Sequence, residues 1–128
     1  MTPLDQLAIL LVDDSEDTTE MLIEMQRMNG ATVIAATSGD EGLSILSDKH
    51  FDVVLSDISM PGMDGFEFLR RLRQLPGRGE LPALALTGFG RPEDIERAQA
   101  EGFHSHITKP IEFDRLISVS QTIPKTKP

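Results

Sequence analysis

The sequence contains no cysteine, no tryptophan and no tyrosine, and its apolar runs are short. The absence of cysteine excludes disulfide scaffolds, thiol catalysis and cysteine-ligated zinc. The apolar run Leu7–Val12 is far shorter than the roughly 20 residues that a helix needs to cross a bilayer. No basic residue precedes Arg27, so the N-terminus does not have the pattern of a secretory signal peptide. We therefore expect a soluble, cytoplasmic protein without a membrane partner.

Positive charge is also scarce, because 12 Lys and Arg stand against 21 Asp and Glu, a formal net charge of −9. Nucleic-acid binding needs clustered basic side chains, so we expect no direct nucleic-acid partner. A short arginine group is flanked by acids and is predicted to be a solvated patch: Arg70, Arg71, Arg73 and Arg78. The 128 residues suffice for one core. We expect a single domain over residues 1–123 and a flexible tail over residues 124–128.

Five short apolar runs alternate with stretches in which apolar residues recur at helical spacing, and Pro110 opens a last helical stretch. Such alternation predicts an α/β fold in which helices cover both faces of a five-stranded parallel sheet. A chain of this length suits the doubly wound, flavodoxin-like strand order 2-1-3-4-5. The predicted strands are Leu7–Val12, Thr32–Ala36, Val53–Ser56, Ala83–Thr87 and His104–Thr108.

Polar residues follow the strands whose carboxyl ends should meet. In this strand order ligands bind where the order reverses, between the first and third strands. Asp13 and Asp14 follow the first strand, and Asp57 follows the third. Thr87 ends the fourth strand and Lys109 follows the fifth. Taken singly, each residue more often has a structural role, since acidic side chains at the start of a helix interact favourably with the helix dipole. Their coincidence at one edge of one sheet favours a functional site.

Three carboxylates at one edge need a cation, because two carboxylates about 4 Å apart repel by about 4 kcal/mol at an effective dielectric near 20. Oxygen ligands without histidine or cysteine favour a hard ion, Mg²⁺ or Mn²⁺. The ammonium of Lys109 would add one further positive charge. Such a site suits a phosphoryl group, and one of the carboxylates would be the nucleophile that forms an acyl phosphate.

Four segments resemble the receiver domains of bacterial two-component response regulators, including the chemotaxis regulators: Leu11–Asp14, Ser56–Gly65, Leu86–Gly88 and Thr108–Pro110. The resemblance implies that Asp57 accepts a phosphoryl group from a histidine kinase or a His-phosphotransfer protein in a magnesium-dependent reaction. Phosphorylation would then switch the binding of a downstream protein to the face formed by the fourth helix, fifth strand and fifth helix. We expect a monomer or a weak dimer.

The resemblance also implies a role for each remaining site residue. Asp14 would bind the ion directly and Asp13 through water, with the backbone carbonyl of Ser59 as a further ligand. Lys109 would contact the phosphoryl oxygens, and Thr87 would turn its hydroxyl toward them. A cis peptide between Lys109 and Pro110 would aim the lysine at the site.

One position departs from the family pattern. The fifth-strand residue that moves with Thr87 is commonly Tyr or Phe, whereas this sequence has His106. One interpretation is a half-exposed polar residue on an edge strand, with His104 on the same face. The other is that His106 still acts as the switch and makes it sensitive to pH near neutrality. The sequence leaves both open.

Three other functions compete with a free-standing phosphoacceptor. The first alternative is a receiver cut from the C-terminal part of a hybrid sensor histidine kinase. The second is an interaction module that is never phosphorylated. The complete set of acids, threonine and lysine argues against such a module. An aspartate-nucleophile phosphatase is disfavoured, because Asp13 and Asp14 are adjacent and lack the usual Asp-x-Asp spacing. We expect no enzyme beyond a domain that promotes its own phosphorylation and dephosphorylation.

Overall fold

The structure, a computed structural model, describes residues 7–27, 30–88, 90–109 and 118. Several predictions lie outside these residues: the helix opened by Pro110, the cis peptide before that proline, and the tail over residues 124–128. The domain boundary at residue 123 lies outside them as well. Among the described residues, no helix combines the length and the apolarity that crossing a bilayer requires.

Strands and helices alternate along the described chain as the apolar pattern predicts. All the strand pairs are parallel, in the order β2-β1-β3-β4-β5, which confirms the predicted fold class. The order of elements is β1 Ala8–Val12, α1 Glu16–Arg27, β2 Thr32–Ala36, α2 Gly39–Asp48, β3 Val53–Asp57, α3 Gly65–Arg73, β4 Ala83–Thr87, α4 Pro92–Glu101 and β5 Ser105–Thr108. The carboxyl ends of β1 and β3 are therefore neighbours.

Side chains alternate between the two faces of the sheet because successive residues of a strand point in opposite directions. On one face, Leu10 and Val12 of β1 belong to a core cluster that includes residues of α2, α3 and α4. On the other face, Ile9 and Leu11 belong to a second cluster with Leu22 of α1. All four β1 residues are fully buried. Helices thus cover both faces, and the central strands β3 and β4 are buried along their whole length.

Polar side chains fix where the helices next to this edge begin. The hydroxyl of Ser38 caps α2 by accepting a hydrogen bond from the N–H of Glu41. The carboxylate of Asp64 caps α3 by accepting from the N–H of Glu67. Because Asp64 is the cap, α3 begins at the next residue, Gly65. The cap also closes the loop that follows Asp57.

The prediction of a solvated arginine patch is wrong for two of its four members. Arg78 is buried, and its guanidinium donates to the carbonyl oxygens of Leu46 and Lys49 at the end of α2. Arg73 is half-buried and donates to the carbonyl oxygen of Leu81. Helix C-termini leave carbonyl groups without intrahelical partners, and Arg78 supplies donors to two of them. A count of charges along the sequence does not reveal which carbonyls a side chain can reach.

Candidate functional site at the carboxyl edge of the sheet

The structure brings the three predicted carboxylates together. One oxygen each of Asp13, Asp14 and Asp57 lies within 4.8 Å of the others. The register explains this convergence, since Val12 of β1 pairs with Ser56 of β3 and the next residues extend past the same edge. Asp13 and Asp57 are buried, whereas Asp14 is exposed. The cluster therefore has a buried side and a side that is open to solvent.

The two oxygens of each buried carboxylate make different contacts. Oδ1 of Asp13 accepts a hydrogen bond from the N–H of Ser15 over 2.9 Å. In the same way, Oδ1 of Asp57 accepts from the N–H of Ser59, also over 2.9 Å. These bonds fix the loops after β1 and β3. The Oδ2 atoms then face Lys109.

Lys109 brings a positive charge into the cluster. Its Nζ donates a hydrogen bond to Oδ2 of Asp57 over 2.9 Å and lies 3.1 Å from Oδ2 of Asp13. Partial burial by itself would lower the pKa of the Lys109 ammonium. The hydrogen bond to Asp57 and the negative charges of Asp57 and Asp13 outweigh burial, so that pKa is raised above its ordinary value. Lys109 therefore stays charged throughout the neutral range.

The cluster fits a hard divalent cation. Oδ2 of Asp13 is buried and, among the described residues, accepts no hydrogen bond, although it lies in ion-pair range of Lys109. The single Lys109 ammonium is shared between this atom and Oδ2 of Asp57, so a further cation would compensate the buried carboxylates more completely. The group consists of carboxylates, the ligands that Mg²⁺ and Mn²⁺ prefer. Three carboxylates against one ammonium leave an excess of negative charge that a divalent ion would balance.

Thr87 and His106 lie on neighbouring strands. Thr87 ends β4 and is fully buried, and its hydroxyl donates a hydrogen bond to Oγ1 of Thr108 over 3.4 Å. His106 is half-buried on β5, at the edge of the described sheet, and is the register partner of Ala85. His104 is exposed just before that strand. This placement is compatible with both interpretations of His106, and each stays a prediction.

Glycines shape the loop between Asp57 and α3. Gly62 has a φ of +75°, a conformation that side chains with a Cβ rarely adopt. Gly65 packs directly against the backbone of Asp57 and Ile58: a Cβ at this position would contact the carbonyl oxygen of Asp57 and lie 2.6 Å from Cα of Ile58. The resemblance to receiver domains implies that Gly62 and Gly65 shape this loop by allowing a turn that a Cβ would hinder. The close contact with Asp57 appears in the tertiary structure.

Comparison with protein families decides what kind of domain carries this site. The family model of the response regulator receiver domain matches residues 9–121. The chain belongs to the response regulator receiver domain family. Its role is accordingly that of a receiver in a two-component phosphorelay.

Similar receivers occur both in a short protein and in a much longer one. The uncharacterized 14.6 kDa protein in the sodA1 3' region of Leptolyngbya boryana is 42% identical over 121 residues, which cover 94% of this chain and 92% of that protein. The sensor histidine kinase RcsC of Escherichia coli strain K12 is 34% identical over 110 residues. Those residues cover 86% of this chain but 11% of RcsC. The receiver thus spans about a tenth of the sensor kinase that it matches.

Solved receiver structures have the same fold. The chemotaxis protein CheY4 of Vibrio cholerae superposes with a TM-score of 0.87 at 31% identity, covering 92% of this chain and 98% of that chain. The signal receiver domain of a signal transduction histidine kinase from Syntrophus aciditrophicus gives a TM-score of 0.81 at 30% identity. That match covers 94% of this chain and 95% of the other. The likeness to each of these receivers therefore covers more than nine-tenths of both chains.

Proposed function

We propose that Asp57 is the phosphoacceptor of this receiver. The observation that carries the proposal is the hydrogen bond between Asp57 Oδ2 and the ammonium of Lys109, next to two further carboxylates. Asp13 is fully buried, and its Oδ2 accepts no hydrogen bond from the described residues. Asp14 is exposed. Asp57 shares a fixed orientation and a nearby ammonium with Asp13, but only Asp57 accepts the Lys109 hydrogen bond and keeps some exposure to solvent.

The proposed reaction is a single displacement at phosphorus. A carboxylate oxygen of Asp57 attacks the phosphorus of a phosphohistidine on a histidine kinase or His-phosphotransfer protein. The new P–O bond forms as the P–N bond breaks, and the imidazole nitrogen leaves with the electron pair and takes up a proton. Lys109 stays close enough to contact the phosphoryl oxygens, so negative charge is balanced during the transfer. The product is an acyl phosphate on Asp57.

Magnesium would be held by this chain's own oxygen atoms. Asp14 and Asp57 would bind it directly, Asp13 through water, and the backbone carbonyl of Ser59 would complete the protein ligands. When bound, the ion supplies the positive charge that lets an anionic phosphoryl donor approach three carboxylates. The buried Oδ2 of Asp13 supports this assignment, because it accepts no hydrogen bond from the described residues and shares the Lys109 ammonium with Asp57.

The phosphoryl group would shift an existing equilibrium between two conformations. Thr87 lies at the end of β4, and its carbonyl oxygen accepts a hydrogen bond from the N–H of Lys109 over 2.8 Å. A movement of Thr87 is thereby transmitted to β5. We propose that a downstream protein reads this change on the face formed by α4, β5 and the helix opened by Pro110. The last of these elements lies outside the described residues.

The two kinds of relative favour two settings for the same chemistry. The match to the Leptolyngbya boryana protein covers 92% of that protein, and this similarity favours a free-standing regulator. Similarity to RcsC favours a receiver that works within a hybrid sensor kinase. Phosphoryl transfer to Asp57 is common to both settings.

Phosphorylation can be tested directly by intact-mass analysis after incubation with Mg²⁺ and acetyl phosphate. We expect one phosphoryl adduct on the unaltered chain and none on Asp57→Ala. The matched control is Asp48→Asn, which removes an exposed carboxylate at the end of α2 and should leave the adduct unchanged. An adduct that survives Asp57→Ala, or no adduct on the unaltered chain, would show the proposal to be wrong.

Magnesium binding should stabilise the folded receiver. At about ten times the Kd, we expect Mg²⁺ to raise Tm by about 5 °C in a domain of this size, because the ion binds the folded state and relieves carboxylate repulsion. Asp14→Asn should greatly reduce the shift, whereas Asp48→Asn should retain it. Tm is measured by circular dichroism, with NaCl at equal ionic strength as the reference. An equal shift with NaCl, or in Asp14→Asn, would contradict a site-bound ion.

A further inference from the structure

Thr87 is engaged by Thr108, which belongs to the motif segment Thr108–Pro110 but to which the sequence pattern assigns no role of its own. Its hydroxyl donates a hydrogen bond to Oγ1 of Thr108, and the oxygen atoms are 3.4 Å apart. The two threonines are register partners on β4 and β5, so their side chains lie on the same face of the sheet. Thr87 is fully buried, whereas Thr108 is exposed. The contact thus connects the buried end of β4 to the outer strand.

Two neighbouring contacts hold the pair in place. The N–H of Lys109 donates to the carbonyl oxygen of Thr87 over 2.8 Å, which fixes the backbones of the two strands at this point. Gly90 lies against the side chain of Thr108: a Cβ there would be 3.0 Å from Oγ1 and 3.3 Å from Cγ2. Gly90 has a φ of +62°, a backbone conformation that suits glycine.

The bond has a direct chemical consequence for the site. A threonine hydroxyl has a single proton to donate. While Thr87 donates this proton to Thr108, it cannot donate it to a phosphoryl oxygen on Asp57. Oγ1 of Thr108 and the phosphoryl group therefore compete for the same donor.

We infer that Thr108 is a positioning residue that holds the Thr87 hydroxyl in the unphosphorylated receiver and so weakens its response to the phosphoryl group. The inference rests on the proposed function of Asp57 as the phosphoacceptor. Oxygen–oxygen distances of 2.7–2.8 Å are usual for hydroxyl hydrogen bonds, so a bond of 3.4 Å is weak. Losing it should change a binding constant about threefold.

The competition can be measured with beryllium fluoride, which binds carboxylates in the shape of a phosphoryl group. In the presence of Mg²⁺, ¹⁹F NMR reports the fraction of beryllium fluoride bound to the full chain and hence its Kd. Thr108→Val removes the hydroxyl but keeps the branched shape that suits a strand. We expect this variant to bind about threefold more tightly than the unaltered chain. Thr108→Ser retains a hydroxyl and should restore the original Kd.

A double substitution distinguishes competition for the Thr87 hydroxyl from a structural effect of Thr108→Val. In a chain that carries Thr87→Ala, the donor is gone, and Thr108→Val should no longer change the Kd. An unchanged Kd for Thr108→Val would overturn the inference, as would the same tightening in the Thr87→Ala background. Circular dichroism verifies that each variant is folded. If the unaltered chain binds no beryllium fluoride with Mg²⁺, the proposed function fails, and the inference falls with it.

Discussion

Lys109→Met should lower the free energy of unfolding by about 3 kcal/mol in solutions free of divalent cations. Removing one partner of a buried ion pair leaves an uncompensated charge, which commonly costs about 3–5 kcal/mol. Here the lysine faces two buried carboxylates, those of Asp13 and Asp57. The lysine side chain itself is 22% exposed, so the lower end of that range applies. Urea denaturation monitored by circular dichroism measures the change.

Two further measurements connect this loss to charge rather than to packing. Mg²⁺ should recover much of the stability of Lys109→Met, because a divalent ion would replace the missing positive charge among the carboxylates. Lys49→Met, at the exposed end of α2, removes a lysine outside the cluster and should change stability little. A loss that Mg²⁺ leaves unchanged, or an equal loss in Lys49→Met, would contradict the role of Lys109 as the balancing charge.

The effect of Lys109 should also depend on pH in a defined direction. Because the folded-state pKa of Lys109 is raised, its stabilisation is fully present below the unfolded pKa of about 10.4. That stabilisation is lost as pH rises through the higher pKa of the folded state. The stability difference between the unaltered chain and Lys109→Met should therefore stay constant from about pH 7 to about pH 10. A difference that disappears below about pH 9 would show that the ammonium loses its proton early.

Gly65→Ala should lower the free energy of unfolding by about 3 kcal/mol. The added Cβ would contact the carbonyl oxygen of Asp57 and lie 2.6 Å from Cα of Ile58. Both atoms belong to the backbone, so no side chain can rotate away to make room. Either the start of α3 or the end of β3 must move. We therefore also expect slower phosphorylation at Asp57, because its carboxylate is held by the loop that would shift.

Gly79→Ala provides the matched control for this substitution. The nearest atom that its Cβ would meet is the carbonyl oxygen of Arg73, at 4.0 Å. The new methyl group therefore has room, and the loss of unfolded-state entropy should leave stability unchanged or raise it by about 0.5 kcal/mol. Urea denaturation of both variants gives the comparison. Equal stability of Gly65→Ala and the unaltered chain would mean that α3 adjusts freely to the extra atom.

Local patterns in the sequence were enough to predict the sheet. The predicted bounds of β2 and β4 agree with the structure, because the apolar runs that form a strand involve only a few neighbouring positions. The convergence of the acids also followed from a general rule. Parallel strands in this order bring the ends of the first and third strands to one edge. The sequence could therefore predict the neighbourhood of Asp13 and Asp57 without any distance.

Contacts between distant segments could not be predicted in the same way. Arg78 looks like a solvated arginine in the sequence, yet it is buried against the last carbonyls of α2, 29 and 32 positions away. Nothing in the spacing indicates that Gly65 touches the backbone of Asp57 or that Thr108 accepts the proton of Thr87. These contacts depend on where strands and helices lie in space to within an ångström, and sequence spacing does not contain that information.

The acidic residues also show which properties follow from the sequence and which from the tertiary structure. The sequence by itself determined that this receiver has few positive charges, a parallel sheet and three carboxylates at one of its edges. Only the tertiary structure decided how that charge is used. It directs one oxygen of each buried aspartate to its own loop and the other toward the ammonium of Lys109, which both aspartates share. The physical reason is that hydrogen bonds and ion pairs act over about 3 Å, a scale on which only the folded chain defines positions.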